Sequence, residues 1–252
     1  IGQIVSAAVV IYYLAHYKTV HLGKKQLSVE SRCAVNIMAL GTASFFNQVA
    51  MMIVQIVLNK SLTHYGELSE YGAAIPLACA GIVTKVGQLF FSIIGISQGT
   101  QPIESFNYGA KQFGRVREAY NLAVRAGAII SVVSFLIFQV FPGEILALFG
   151  TGSDAYFKFG IKFLRVYLFF TFVNFLQPIT STFFTSIGKP QKGTFLSLTR
   201  QIVFLLPLTL ILPLFVGIDG IMYAAPVADC LAAVIAITMA VKEFREMKKL
   251  EA

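Results

Sequence analysis

Two long stretches of this chain, residues 34–59 and 166–188, contain no Asp, Glu, Lys or Arg. A helix on the surface of a soluble protein shows a polar face at every turn, whereas a helix that crosses a bilayer needs about 20 largely apolar residues. The composition fits the second case, because 56% of the residues are hydrophobic, 13% are charged and the mean hydropathy is +0.74. The chain is therefore predicted to be an all-α membrane protein.

The number of transmembrane helices follows from counting apolar segments between loops that carry charge or turn signals. Seven such helices are predicted, at residues 1–17, 34–59, 71–98, 118–141, 160–186, 197–216 and 219–241. The last two are joined by a very short turn at Gly217, Asp219 and Gly220, so we expect them to form a tight helical hairpin.

The distribution of Lys and Arg predicts the orientation in the membrane. Fourteen cations lie in one set of loops and four in the opposite set, which places the first set and the C-terminus in the cytoplasm of an inner (plasma) membrane protein. The first set is Lys18, Lys24, Lys25, Arg32, Lys111, Arg115, Arg117, Lys189, Lys192, Arg200, Lys242, Arg245, Lys248 and Lys249, and the second is Lys60, Lys158, Lys162 and Arg165. Because the excess is spread over four loops, the net charge of +8 does not indicate a nucleic-acid partner.

Two charges, Lys85 and Asp229, are predicted near the middle of the membrane. Leaving either one unpaired costs roughly 2.5–3.5 kcal/mol on insertion scales. We therefore expect them to be partners or to share an aqueous cavity. The alternative is that each one meets an amide such as Gln88 on a neighbouring helix. Arg125 lies about two turns from a helix end, from which its guanidinium can reach the headgroups.

Uncharged polar side chains within the predicted helices must find a partner or water. Two explanations remain open for them, hydrogen bonds between helices and the lining of an aqueous cavity. With the two charges above, the candidate cavity residues are Asn47, Gln48, Lys85, Gln88, Asn174, Gln177 and Asp229.

No set of residues has the pattern of an enzyme or a metal site. His16, His21 and His64 lack metal-ligand spacing, the three cysteines are an odd number without CxxC spacing, and HExxH, GxSxG and P-loop motifs are absent. The chain is therefore not predicted to be an enzyme, and no cofactor or bound metal is expected.

A polar motif, QGTQPIESFNYGA, occupies residues 98–110 between apolar segments and is followed by the basic sequence RVREA. It resembles the cytoplasmic loop of multidrug and toxic compound extrusion (MATE) transporters. The matching positions are Gln98, Gly99, Gln101, Pro102, Asn107, Gly109, Ala110 and Arg115. Further matches are GQ at residues 2–3, FFNQ at 45–48 and FFTSIGKPQKG at 183–193. We interpret the motif as a structural loop in which Pro102 stops the third helix.

The resemblance implies a secondary antiporter with twelve helices in two lobes, which exports organic, often cationic, compounds in exchange for Na⁺ or H⁺. In that arrangement residues 1–17 end the N-terminal lobe, 18–33 link the lobes in the cytoplasm, 34–241 form the six-helix C-terminal lobe and 242–252 form a cytoplasmic tail. Since Ile1 already lies in an apolar segment, we expect the chain to be the C-terminal half of a longer protein. Its expected partners are small organic substrates, the bilayer and its own N-terminal lobe, and alone it is expected to catalyse no efflux.

The coupling site is where this sequence departs from part of the family. Some members carry a deep Glu in the seventh helix and an Asp in the tenth, but the matching segments here hold Asn47, Gln48, Asn174 and Gln177. Other members place the coupling carboxylate in the first helix. The resemblance therefore predicts that the Na⁺ or H⁺ site lies in the N-terminal half.

Two other functions are alternatives to efflux. A flippase for lipid-linked oligosaccharide or polysaccharide has the same fold, but its cavity is expected to carry several cations, and this half offers chiefly Lys85. A seven-helix receptor is the remote alternative, because the chain has no DRY-like motif and no retinal-type lysine in its last helix.

Overall fold

The computed structural model describes residues 2–16, 31–89, 93–150 and 152–251. This part of the chain is helical and contains no strand. The helices are α1 (Gly2–Ala15), α2 (Ser31–Glu67), α3 (Ala74–Leu89), α4 (Ile93–Gly109), α5 (Phe113–Val140), α6 (Pro142–Phe149), α7 (Asp154–Tyr167), α8 (Thr171–Asn174), α9 (Leu176–Ser186), α10 (Pro190–Leu198), a π-helical segment (Thr199–Leu205), α11 (Leu206–Val216) and α12 (Ile218–Glu251).

Five segments of the described chain are long and apolar enough to cross a membrane. They are Phe45–Glu67, Phe113–Val140, Asp154–Ser186, Pro190–Val216 and Ile218–Leu250. The helices at the other two predicted positions are apolar but shorter, Gly2–Tyr13 and Ala74–Gln88. The prediction of an all-α membrane fold is confirmed, whereas the count of seven transmembrane helices stays a prediction.

The chain divides into two compact units, residues 1–42 and 43–252. The first unit includes α1, and most of the predicted linker at 18–33 lies outside the described residues. The second unit contains α3 to α12. The segment predicted as a cytoplasmic tail continues α12 as far as Glu251, with Glu243 and Met247 buried.

The polar motif is helical, which corrects its interpretation as a loop. Helix α4 runs through Pro102 to Gly109, so that proline does not end the helix. The chain turns at the end of the motif, at Ala110, Lys111 and Gln112, where Lys111 takes a left-handed φ of 58°. The Gln112 N–H donates to the Asn107 carbonyl at 2.8 Å and closes the helix end.

Three hydrophobic clusters hold the second unit together. The first joins α2 and α3 to α7 through residues such as Leu62, Val83 and Phe163. The second joins α5, α9 and the end of α12, and the third joins α2, the π-helical segment and the alanine-rich part of α12. Small residues let helix backbones approach closely, which is the main source of packing energy between helices in a membrane.

The turn between α11 and α12 confirms the predicted tight hairpin. Gly217 has a left-handed φ of 63°, which favours glycine. A Cβ on Gly220 would lie 2.5 Å from the carbonyl carbon of Leu212, so the two helices pack backbone to backbone at this point. Asp219 and Gly220 belong to the first turn of α12 rather than to the connection.

Candidate functional site

Asp229 lies on the buried face of α12, beside Ala225 and Ala228, and its side chain is 6% exposed. Its carboxylate is held by Arg200 of the π-helical segment. The Arg200 Nε donates to Asp229 Oδ1 at 2.7 Å, and Nη2 lies 2.5 Å from the same oxygen. The two groups form a buried ion pair with charge-assisted hydrogen bonds.

The position of Arg200 depends on an irregular helix turn. Pro207 has no N–H to donate and its ring collides with the carbonyl four residues earlier, which disfavours a regular α-helix before it. The turn widens instead, and the Leu206 N–H donates to the carbonyl of Gln201, five residues back. Such π-helical turns are rare and change the direction of the side chains within them.

Tyr167, at the end of α7, completes this group of polar side chains. It packs against both the first and the third hydrophobic cluster. It also interacts electrostatically with Arg200 and Asp229. The site therefore combines three separate segments, α7, the π-helical segment and α12.

The expected partnership of Lys85 with Asp229 is wrong. Asp229 is paired with Arg200, one of the cations predicted to lie in the cytoplasmic loops. Lys85 lies with Gln88 on the exposed face of α3, away from the buried Val83 and Val86. The sequence did contain a signal for the correct partner, because Arg200 falls inside the predicted helix at 197–216.

The predicted amides have different surroundings. Gln177 of α9 donates from Nε2 to the Ser197 hydroxyl of α10 at 3.2 Å, and Ser181 donates to the Gly193 carbonyl at 2.8 Å. Gln177 therefore forms a hydrogen bond between two helices, which was the first of the two explanations for the polar side chains. Asn47 and Asn174 are half-buried, and Gln48 is exposed. The structure does not bring these side chains together with Asp229.

A second ionic group, which sequence reasoning missed, fixes the turn between α9 and α10. Lys189 and Lys192 both contact the buried Glu243 of α12, and the Lys192 Nζ to Glu243 Oε2 distance is 2.7 Å. Glu246 lies 3.7 Å from Lys189. Both lysines belong to the sequence GKPQK at the junction of α9 and α10. Two basic residues in this turn and two acidic residues in the last helix, Glu243 and Glu246, were the sequence features from which this contact could have been predicted.

These ionic groups position helices rather than offer free ligands. In the described residues, no three His, Cys, Asp or Glu side chains are grouped so that they could hold a metal ion. Asp229 forms an ion pair with Arg200, and Glu243 forms ion pairs with Lys189 and Lys192. Of the predicted cavity residues, Gln48 of α2 and both Lys85 and Gln88 of α3 are exposed.

Comparison with known proteins identifies relatives of this chain. The MatE family model matches residues 43–211. The multidrug export protein MepA of Staphylococcus aureus (strain bovine RF122 / ET3-1) is 22% identical over 230 residues, which cover 90% of this chain and 49% of that protein. MepA of Staphylococcus haemolyticus (strain JCSC1435) is 20% identical over 90% of this chain and 48% of its own length. The chain thus spans about half the length of the curated relatives it matches.

Solved structures show the same fold. A MOP superfamily transporter from Pyrococcus furiosus superposes with a TM-score of 0.82 at 19% identity, covering 97% of this chain and 54% of that one. A MATE family multidrug resistance transporter in an outward-facing conformation gives 0.82 at 20% identity, over 98% of this chain and 55% of that one. One in an inward-facing conformation gives 0.80 at 20% identity, over 98% and 57%.

Proposed function

The chain belongs to the MatE family of multidrug efflux transporters. On this basis we propose that it forms the C-terminal lobe of a secondary antiporter that exports organic, often cationic, compounds in exchange for Na⁺ or H⁺. The whole protein would contain a second lobe, and the substrate would pass between the two. The chain alone would not export, since one lobe supplies one wall of such a cavity. The similar TM-scores against outward- and inward-facing structures, 0.82 and 0.80, support a lobe that keeps its fold while the two lobes move.

The observation that carries this proposal is the polar face of α3. Lys85 and Gln88 are exposed on an apolar helix whose other face packs in the hydrophobic core. Lys85 lies within the predicted transmembrane segment 71–98, where a charge that faces lipid is costly, so it needs water or a protein partner. An aqueous cavity beside α3, shared with the second lobe, provides that water.

The coupling ion is assigned to the rest of the protein. Asp229 is the deep acid of the last helix, but it is already ion-paired with Arg200 and is therefore not a free carboxylate for Na⁺ or H⁺. Asn47, Gln48 and Asn174 offer neutral oxygens only. A coupling carboxylate in the N-terminal lobe accounts for these features.

The lipid-linked oligosaccharide flippase is disfavoured by the same ion pair. A diphosphate group needs free cations, and Arg200 adds no net positive charge to a cavity because Asp229 neutralises it. The proposed orientation keeps the C-terminus in the cytoplasm. Removing Arg200 from the loop cations leaves thirteen against four, so the charge asymmetry persists.

Transport by the complete protein in liposomes tests the function. We expect an imposed Na⁺ or proton gradient to drive export of a fluorescent organic cation, and collapse of the gradient to stop it. Movement of a lipid-linked oligosaccharide without dye export would contradict the proposal and support the flippase.

Thiol labelling tests the cavity separately. Gln88→Cys should react with a water-soluble thiol reagent, and a transported dye should slow that reaction. The matched control is Ile129→Cys, because Ile129 is 67% exposed on the apolar surface of α5 and should face lipid. Equal, slow labelling at both positions would show that α3 faces lipid rather than a cavity.

A further inference from the structure

Glu104 is a buried acid that the proposed transport function does not use. It lies in the second half of α4, outside the five segments long enough to cross the membrane, and it is 1% exposed. Its Oε2 atom has no hydrogen-bond partner. Among the residues that the structure describes, no Lys, Arg or His forms an ion pair with this carboxyl.

The hydroxyl groups next to Glu104 also lie within hydrogen-bonding distance of backbone carbonyls. Its hydrogen-bonding neighbours are Ser186 of α9 and Thr100 of α4. Ser186 Oγ donates to the Thr182 carbonyl at 2.8 Å, and Thr100 Oγ1 donates to the Ser97 carbonyl at 3.1 Å. Each hydroxyl has one proton, which it gives either to that backbone carbonyl or to Glu104. While both hydroxyls donate to the carbonyls, a contact between Glu104 and either hydroxyl needs a proton on the carboxyl.

The remaining titratable groups around Glu104 are weak sources of charge. Helix α5 contributes Tyr120, whose hydroxyl lies 2.9 Å from Thr180 Oγ1 of α9. Tyr108 lies one turn further along α4, and the sequence of α9, LQPITSTFFTS, has no titratable side chain. Burial raises the pKa of Glu104 to about 7, against which the hydrogen bonds of Ser186 and Thr100 act.

We propose that Glu104 is a proton-binding site, neutral in this arrangement, and that its O–H donates to the hydroxyls of Ser186 or Thr100 and holds the end of α4 against α9. The unpartnered Oε2 is then a carbonyl oxygen, which is less costly to bury than an ionised one. This site is distinct from the coupling carboxylate assigned to the second lobe.

The pH dependence of folding has a definite sign. The folded pKa of about 7 lies above the ordinary value of 4.5, so the folded protein binds more protons than the unfolded chain between these values. Stability is therefore expected to fall as pH rises through this interval and to stay low above it. Glu104→Gln keeps a donor for the hydroxyls without an ionisable proton, and this dependence should disappear.

Infrared difference spectra of the complete protein test the protonation directly. We expect the carbonyl band of a protonated carboxyl at pH 5, its loss at pH 8, and its absence in Glu104→Gln. The matched control is Glu118→Gln, since Glu118 is exposed on the neighbouring α5. A pH 5 spectrum unchanged by Glu104→Gln, or a Glu104→Gln protein that does not fold, would overturn the proposal.

Thermal unfolding gives a second readout that does not depend on transport. The unfolding temperature of the wild type should drop by roughly 5 °C or more between pH 5 and pH 8 relative to Glu104→Gln. Identical pH profiles would overturn the proposal, while a failed dye assay alone would count against the transport function only.

Discussion

Asp229 and Glu104 are both buried, at 6% and 1% exposure, but the hydrogen-bonding groups around them differ. Asp229 meets the guanidinium of Arg200 in the π-helical segment, whereas Glu104 meets hydroxyls that also contact backbone carbonyls. The first acid can stay charged because it is paired, and the second is accommodated only with a proton. Burial alone therefore does not fix the charge of an acid; the available donors decide it.

The largest effect is expected at the paired acid. Asp229→Ala leaves the Arg200 guanidinium buried without a partner, and removing one member of a buried ion pair costs roughly 3–5 kcal/mol. We expect a marked loss of folded protein after detergent extraction, measured by size-exclusion chromatography after heating.

The double mutant sharpens this prediction. Arg200→Ala with Asp229→Ala should be less destabilised than the sum of the two single variants, because no unpaired charge remains. Strict additivity would mean that the two groups do not interact, and the contrast with Glu104 would then lose its basis.

An intermediate effect is expected at Glu243, which is buried but paired with lysines that reach solvent. The Lys189 and Lys192 side chains are 33% and 41% exposed, so both can be rehydrated when Glu243 is replaced. We expect Glu243→Ala to cost about 1–3 kcal/mol of unfolding free energy, less than Asp229→Ala in the same heating assay. An equal or greater loss would show that exposure of the partner does not set the cost.

The smallest effect is expected at an exposed pair. Lys158 Nζ lies 3.2 Å from Glu70 Oε1, and both side chains are mostly exposed. Since exposed ion pairs contribute little, Lys158→Ala should leave the thermal unfolding curve unchanged. A clear downward shift would indicate that this pair has a role that its exposure does not explain.

The sequence was sufficient for features that depend on local composition. Charge-free runs of bilayer length predicted the apolar helices, Gly217 predicted the hairpin between α11 and α12, and the spaced polar motif predicted the family. The same motif was misread locally, because a proline usually ends a helix, yet α4 continues through Pro102 to Gly109. Pro207 shows the other outcome, in which the helix persists by widening into a π-helical turn.

The sequence by itself determined that this chain is an apolar, helical member of the MatE family, since hydrophobic length and motif spacing are properties of contiguous residues. Only the tertiary structure decided which charges meet. Arg200 and Asp229 are 29 positions apart, and Lys189 and Glu243 are 54 apart. Depth counted along helices predicted Lys85 as the partner of Asp229, but depth does not specify the face of a helix. That face depends on packing, which places Arg200 of the π-helical segment against Asp229 of α12.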